Sequence, residues 1–199
     1  MCPNVPNAVK KTGLFFGSFN PIHLGHLMIA SWMTEFTDIG QVWFVISPHN
    51  PLKEKSSLLP DVNRLYMVNV AVEDEPKFKA SNIEFHLPRP SYTIDTMTYI
   101  TEQYPDKEFV LIAGSDTLPT LHKWKNYEQL LDQYSFYIYP RPDVSKSPFD
   151  DHPHVSFVNA PLIEVSSSFI REAIKDGKNM QYFLPVKVWD YIEKMGFYR

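Results

Sequence analysis

Four short and nearly continuous apolar runs, "TGLFF", "QVWFVIS", "EFVLIAG" and "SFYIYP", alternate with stretches whose apolar residues recur at helical spacing. A strand that is apolar at almost every position must be covered on both faces. Parallel sheets meet that condition, because their crossover helices lie on either side. The chain therefore predicts an α/β fold: a Rossmann-like open, mostly parallel sheet with helices on both faces. Leu24, Leu27, Met28, Ile29, Trp32, Met33 and Phe36 carry the helical period between the first two runs. That opening is strand–helix–strand, which implies a parallel pair with a right-handed crossover. Further helices are read in "VNRLYMVNVAVE", capped by Asp61, and in "SYTIDTMTYITEQY", starting near Ser91 or Thr93. Two more lie in "SSSFIREAIKDG" and "PVKVWDYIEKMG", each closed by a glycine. "KASNIEFHL" and "HVSFVNAP" read as short strands, and "RPDVSKSPFDDHPH" as a mobile surface loop.

A chain of 199 residues, 44% of them hydrophobic, suits a single domain over 12–199 after an N-terminal tail over 1–11. The net charge of -4 argues against a protein that holds nucleic acid by bulk electrostatics. An anionic ligand would have to be met by locally placed groups. The one cysteine, Cys2, can form neither an internal disulfide nor a cysteine-rich zinc site, and suits a reducing compartment. No apolar run approaches the roughly 18 residues of a membrane span, and the first residues lack a signal peptide's apolar core. The expectation is a soluble cytoplasmic protein with no nucleic-acid or membrane partner, compatible with an oligomer.

Ligands of such sheets bind outside the carboxyl ends of the strands. The polar clusters of this chain follow those ends. In "GSFNPIHLGH" (17–26), Gly17 permits a tight turn and Asn20-Pro21 sets another before a helix. The helix start offers free N–H groups and a positive dipole end, which together suit phosphate. His23 and His26 are three apart, so one helical turn can point both to one face. Gly25 between them leaves room for a ligand. Their imidazoles can donate to phosphate oxygens, where negative charge grows during reaction. The ordinary alternative is one packed and one exposed histidine. A zinc reading would need more ligands, and neither HExxH nor a nearby cysteine supplies them. The GxGxxG and GxxxxGK[ST] fingerprints are absent.

Four later clusters have plain explanations when taken singly. Lys53 in "PHNPLK" reads as a solvated lysine, and the hydroxyls of "RPSYTIDT", Thr93 included, as a helix cap. In "GSDTLPTLHKW", Gly114 closes a strand, Asp116 can cap and Trp124 can be core. In "VSSSFIR", Ser167 and Ser168 open a helix and Arg171 lies one turn in.

The pattern G-[ST]-F-[DN]-P-x-H-x-G-H resembles the phosphate-binding motif of the nucleotidyltransferase superfamily. The five motifs in this order resemble the nicotinate-nucleotide adenylyltransferase family, over nearly the whole of 12–199. The resemblance implies adenylyl transfer from ATP to nicotinate mononucleotide in NAD biosynthesis, giving nicotinate adenine dinucleotide and pyrophosphate, with Mg²⁺ accompanying ATP. It implies that His23, His26 and Arg171 are catalytic. Gly17, Ser18, Gly25, Lys53, Gly114, Asp116, Ser167 and Ser168 would meet ATP, and Thr93 and Trp124 the pyridine mononucleotide. The chain departs from the family where two glycines usually stand for Phe16-Gly17, Thr for Ser18 and Asp for Asn20. Its lysine loop reads "PHNPLK" in place of the commoner "PPHK". Pantetheine-phosphate adenylyltransferase, which shares the first motif, and a non-catalytic nucleotide-binding module are the alternatives.

Overall fold

The computed structural model describes residues 10–48 and 58–199, so Lys53 lies outside the described residues. The elements run β1 (Lys11–Gly17), α1 (Leu24–Phe36), β2 (Ile39–Ile46), α2 (Asp61–Val72), β3 (Phe78–Ser81), α3 (Thr93–Gln103) and β4 (Phe109–Gly114). They continue with α4 (Tyr127–Gln133), β5 (Ser135–Tyr139), β6 (Val155–Phe157), α5 (Ser167–Lys175) and α6 (Val186–Met195). All strand pairs are parallel, in the order β3-β2-β1-β4-β5-β6. The connections from β1 lead outward to one side and those from β4 to the other. That divergence opens a crevice at the carboxyl ends of these two neighbours, where Gly17 and Gly114 stand.

The continuous apolar runs have the cause expected of them. Along β2, Val42, Phe44 and Ile46 enter one core with Ile29 and Met33 of α1, Met67 of α2, Ile170 of α5 and Val188 of α6. Trp43 and Val45 enter the opposite core with Ile94 and Met97 of α3 and Leu130 of α4. Alternate residues of one strand thus serve two helix layers. No helix among the described residues is long and apolar enough to cross a membrane.

Several local readings change. Lys11, assigned to the tail, opens β1, and its ammonium pairs with Asp38 and Glu108 at 3.0 and 3.4 Å. "KASNIEFHL" is strand only to Ser81 and then turns through a 3-10 segment at Ile83–His86. The short helix α4 has no separate signal in its seven residues. The 141–154 segment is anchored. The Ser147 N–H donates to the Asp150 carboxylate at 3.1 Å, and Phe149 packs edge-on to Tyr127.

Asp61 is not a cap, since Pro60 precedes α2 and the Asp61 carboxylate is taken by Arg64 at 2.6 Å and Arg89 at 3.0 Å. Arg64 is fully buried. It donates to the carbonyls of Ser18, Ser47, Pro48 and Leu59 at 2.6–3.1 Å. Replacing Arg64 by Leu leaves four carbonyls without their donor, and the expected loss is about 3–5 kcal/mol. Urea denaturation at pH 7 measures it. A loss below about 1 kcal/mol would mean that water replaces the guanidinium.

Candidate active site

The turn after β1 is built from close approaches. Phe19 takes a left-handed backbone at φ 45 and folds its ring over Gly17, where an added Cβ would lie 2.9 Å from the ring. The peptide Asn20-Pro21 is cis, and His23 then caps α1 from an extended conformation. The His23 N–H donates to Nδ1 of His26 at 3.2 Å, and the two rings stack with centroids 3.7 Å apart. A nitrogen that accepts carries no proton, so the N–H of a neutral His26 ring is assigned to Nε2. Phe15 and Phe19 hold that ring edge-on at 5.8 and 5.1 Å. The expected pairing on one helical turn is therefore present, as a stacked pair.

His23 is buried, and its Nδ1 has no hydrogen-bond partner. Burial, helped by the positive charge of Arg141, lowers its pKa to about 3, so the ring is neutral at physiological pH. The His23 side chain faces the backbone N–H of His26 in a capping-box arrangement across the first turn of α1, without a hydrogen bond of full geometry.

Around this pair, Arg171 of α5 donates to the Asn20 carbonyl at 2.9 Å and to the Ser168 hydroxyl at 3.3 Å. The Ser167 hydroxyl donates to the Pro21 carbonyl at 2.9 Å, and Ser166 serves as the N-cap of α5. The carbonyl of Ser18 is held by Arg64. At Gly25 an added Cβ would lie 2.9 Å from Ile163 and 3.0 Å from His23 Nδ1. Its small size thus lets α1 approach the 161–165 segment closely.

At the end of β4, an added Cβ on Gly114 would meet Asp116 at 2.3 Å and Arg141 at 3.0 Å. Asp116 is exposed, 3.9 Å from the Arg141 guanidinium. Arg141 also bonds Ser115 Oγ through its N–H and the Ile163 carbonyl through its side chain, at 2.9 and 3.2 Å. Sequence reasoning missed Arg141. Its one signal is an arginine two residues past the end of a parallel strand, within "YPRP".

Thr93 is the first residue of α3, and Trp124 follows the 3-10 segment Ser115–Lys123. Lys125 draws the two regions together by pairing with Asp95 at 2.8 Å and lying over the Tyr92 ring at 5.0 Å. They connect to the histidine side through Glu84. That buried carboxyl accepts from Thr96 and Ser91 at 2.8 and 3.3 Å and from Ser47 after β2, and burial pushes its pKa up. Ser47 in turn donates its N–H to the Gly17 carbonyl at 2.9 Å. Among the described residues no three His, Cys, Asp or Glu side chains form a metal cage.

A family profile described as Cytidylyltransferase-like matches residues 14–173. A Flavobacterium johnsoniae protein named "Probable nicotinate-nucleotide adenylyltransferase" is 53% identical over 193 residues, 95% of this chain and 99% of that one. A Bacteroides fragilis protein of the same name is 45% identical over 185 residues, 93% of this chain and 92% of that one. The solved Plasmodium falciparum nicotinic acid mononucleotide adenylyltransferase complexed with NaAD superposes with a TM-score of 0.81. It is 23% identical and covers 95% of this chain and 97% of its own, a likeness of fold.

The His23 pKa gives a signed pH dependence. Between its unfolded value near 6.5 and its folded value near 3, only the unfolded chain takes the proton. The stability due to the neutral ring is thus whole above pH 6.5 and is lost as pH falls below it. From pH 7 to 5, wild type should lose on the order of 2 kcal/mol more than His23→Asn. Urea midpoints at the two pH values check this, and equal losses would mean that the ring titrates alike in the folded and unfolded chain.

Proposed function

Because the chain belongs to the nicotinate-nucleotide adenylyltransferase family, we propose that it transfers the adenylyl group of ATP to nicotinate mononucleotide. The products are nicotinate adenine dinucleotide and pyrophosphate. The observation that carries this reading is the stacked histidine pair, with its orphaned Nδ1, in the crevice where the sheet connections diverge. A cytoplasmic setting fits, since one thiol in 199 residues asks for no oxidising compartment.

The acceptor phosphate is an anion at neutral pH and needs no general base. One of its oxygens attacks the α-phosphorus of ATP in line, the bond to the bridging α–β oxygen breaks, and pyrophosphate leaves with that electron pair. The chain contributes position and charge stabilisation. His23 and His26 would donate N–H groups to the ATP phosphates, His26 through Nε2. Gly17, Ser18 and Gly25 would shape the backbone under them. Arg171, with Ser167 and Ser168, would hold the leaving pyrophosphate, a task that suits a guanidinium fork. Asp116, at the end of β4 beside Gly114, would accept from the ribose or adenine side. Mg²⁺, bound by phosphate oxygens and water, would neutralise charge on the triphosphate. Thr93 would bond the pyridine carboxylate, Trp124 would stack on the ring, and Lys53 would steer a phosphate.

Three acceptors offered side by side test the reading. Pyrophosphate release with ATP and Mg²⁺ should be strong with nicotinate mononucleotide and weak with nicotinamide mononucleotide or phosphopantetheine. Turnover only with phosphopantetheine would replace the substrate, and silence with all three would remove the enzyme. His23→Ala and His26→Ala should each lower kcat by about 10²–10³-fold while the protein stays folded. A folded double variant with normal kcat would overturn the role of the pair. Trp124→Ala should raise the mononucleotide KM more than the ATP KM, and equal rises would move Trp124 out of the pyridine site.

A further inference from the structure

The segment after α6 returns to the phosphate turn. Gly196, at φ 64, closes the helix, and the Phe197 N–H reaches back to the Ile192 carbonyl at 3.1 Å. Phe197 packs edge-on against Tyr191. Tyr198 then adopts φ 66, a left-handed conformation that a bulky residue holds only where its contacts compensate. Its hydroxyl donates to Oδ1 of Asn20 at 2.9 Å. The same oxygen accepts the Leu59 N–H at 3.3 Å, so both of its lone pairs are used.

We infer that Tyr198 is a positioning residue for the reaction, whose hydroxyl fixes Asn20 and thereby the backbone that presents His23. This rests on the adenylyl-transfer reading of the histidine pair. Asn20 is 2% exposed and stands three residues before His23, between the left-handed Phe19 and the cis-linked Pro21. Three neighbouring carbonyls of the turn are held from other elements. Ser18 is held by Arg64 of α2, Asn20 by Arg171 of α5, and Pro21 by Ser167 of α5. The Asn20 side chain is the remaining handle, and Tyr198 grips it. A carboxamide accepts both bonds without placing negative charge in a turn that faces phosphate. Burial keeps the phenol protonated, its pKa well above the ordinary value although the charges of Arg171 and Arg64 oppose the shift, so it stays a donor. Displacing catalytic groups by about 1 Å can cost on the order of 10²-fold in rate. Loss of one of several tethers should cost less.

Tyr198→Phe removes the hydroxyl and keeps the ring. It should lower kcat by roughly 10-fold at saturating substrates, leaving the mononucleotide KM within about twofold. Asn20→Ala should lower kcat similarly, and the double variant should be little worse than either alone, as for two ends of one interaction. Tyr191→Phe is the control, because its hydroxyl bonds Asn63 at 3.2 Å, away from the turn. It should cost similar thermal stability and leave kcat unchanged. The imidazole NMR signals of His23 and His26 should move in Tyr198→Phe and not in Tyr191→Phe. Unchanged kcat and unchanged imidazole signals in Tyr198→Phe would overturn the inference. So would equal kcat losses in the two tyrosine variants, which would mean general loosening. If wild type transfers nothing to nicotinate mononucleotide, the functional reading fails. The tether is then judged by the imidazole signals and by affinity for a non-hydrolysable ATP analogue, which should fall in Tyr198→Phe.

Discussion

One buried guanidinium ties together the ends of the neighbouring strands β1 and β2. Arg64 reaches from α2 across the sheet edge to the carbonyls of Ser18 after β1 and of Ser47 and Pro48 after β2, with Asp61 as counter-ion. A charge with no exposure is costly to desolvate, and five hydrogen bonds at 2.6–3.1 Å are what make it tolerable. Arginine suits this position because its planar fork serves several acceptors at fixed angles, which a lysine cannot. By binding Pro48 and Leu59 it also holds one residue shortly after β2 and one shortly before α2.

The chemistry of the crevice follows from that rigidity together with desolvation. Because the turn cannot relax, Phe19 stays folded over Gly17, and His23 stays under its neighbours with an unpartnered nitrogen. Burial then selects the neutral ring, and the bond from the His23 N–H selects the tautomer of His26. Two neutral donors at a helix start differ from two imidazolium ions. They offer oriented N–H dipoles that strengthen as charge develops on phosphate, without repelling each other at 3.7 Å.

A second buried group does for the α3 side what Arg64 does for the β1 side. Glu84 collects the hydroxyls of Ser47, Ser91 and Thr96, so the end of β2 and the start of α3 share one acceptor. Burial raises its pKa, and the three hydroxyls, which lower it, do not offset that desolvation. The two halves of the edge, histidines on one side and Thr93 with Trp124 on the other, meet through Ser47 and its bond to Gly17.

The sequence by itself determined the parallel α/β class, the span of α1 and the residues after each strand end, because apolar periodicity and glycine or proline stops are local signals. It also indicated that His23 and His26 would come together, although His23 meets His26 from the extended N-cap position and not from within a helical turn. It misplaced Asp61 as a cap, gave no warning of α4, Arg64 or Tyr198 as parts of the edge, and marked Arg141 only by its place after a strand. Nothing local distinguishes an arginine on a helix that will be buried under four carbonyls from one that will be solvated. Tyr198 lies 178 positions from Asn20, so their hydrogen bond exists only once α6 has packed on α2. Tertiary structure decided the protonation of His23 for the same reason: it depends on which groups remove water from the ring and on Arg141, which come from distant parts of the chain, whereas the His26 tautomer follows from a bond three residues away.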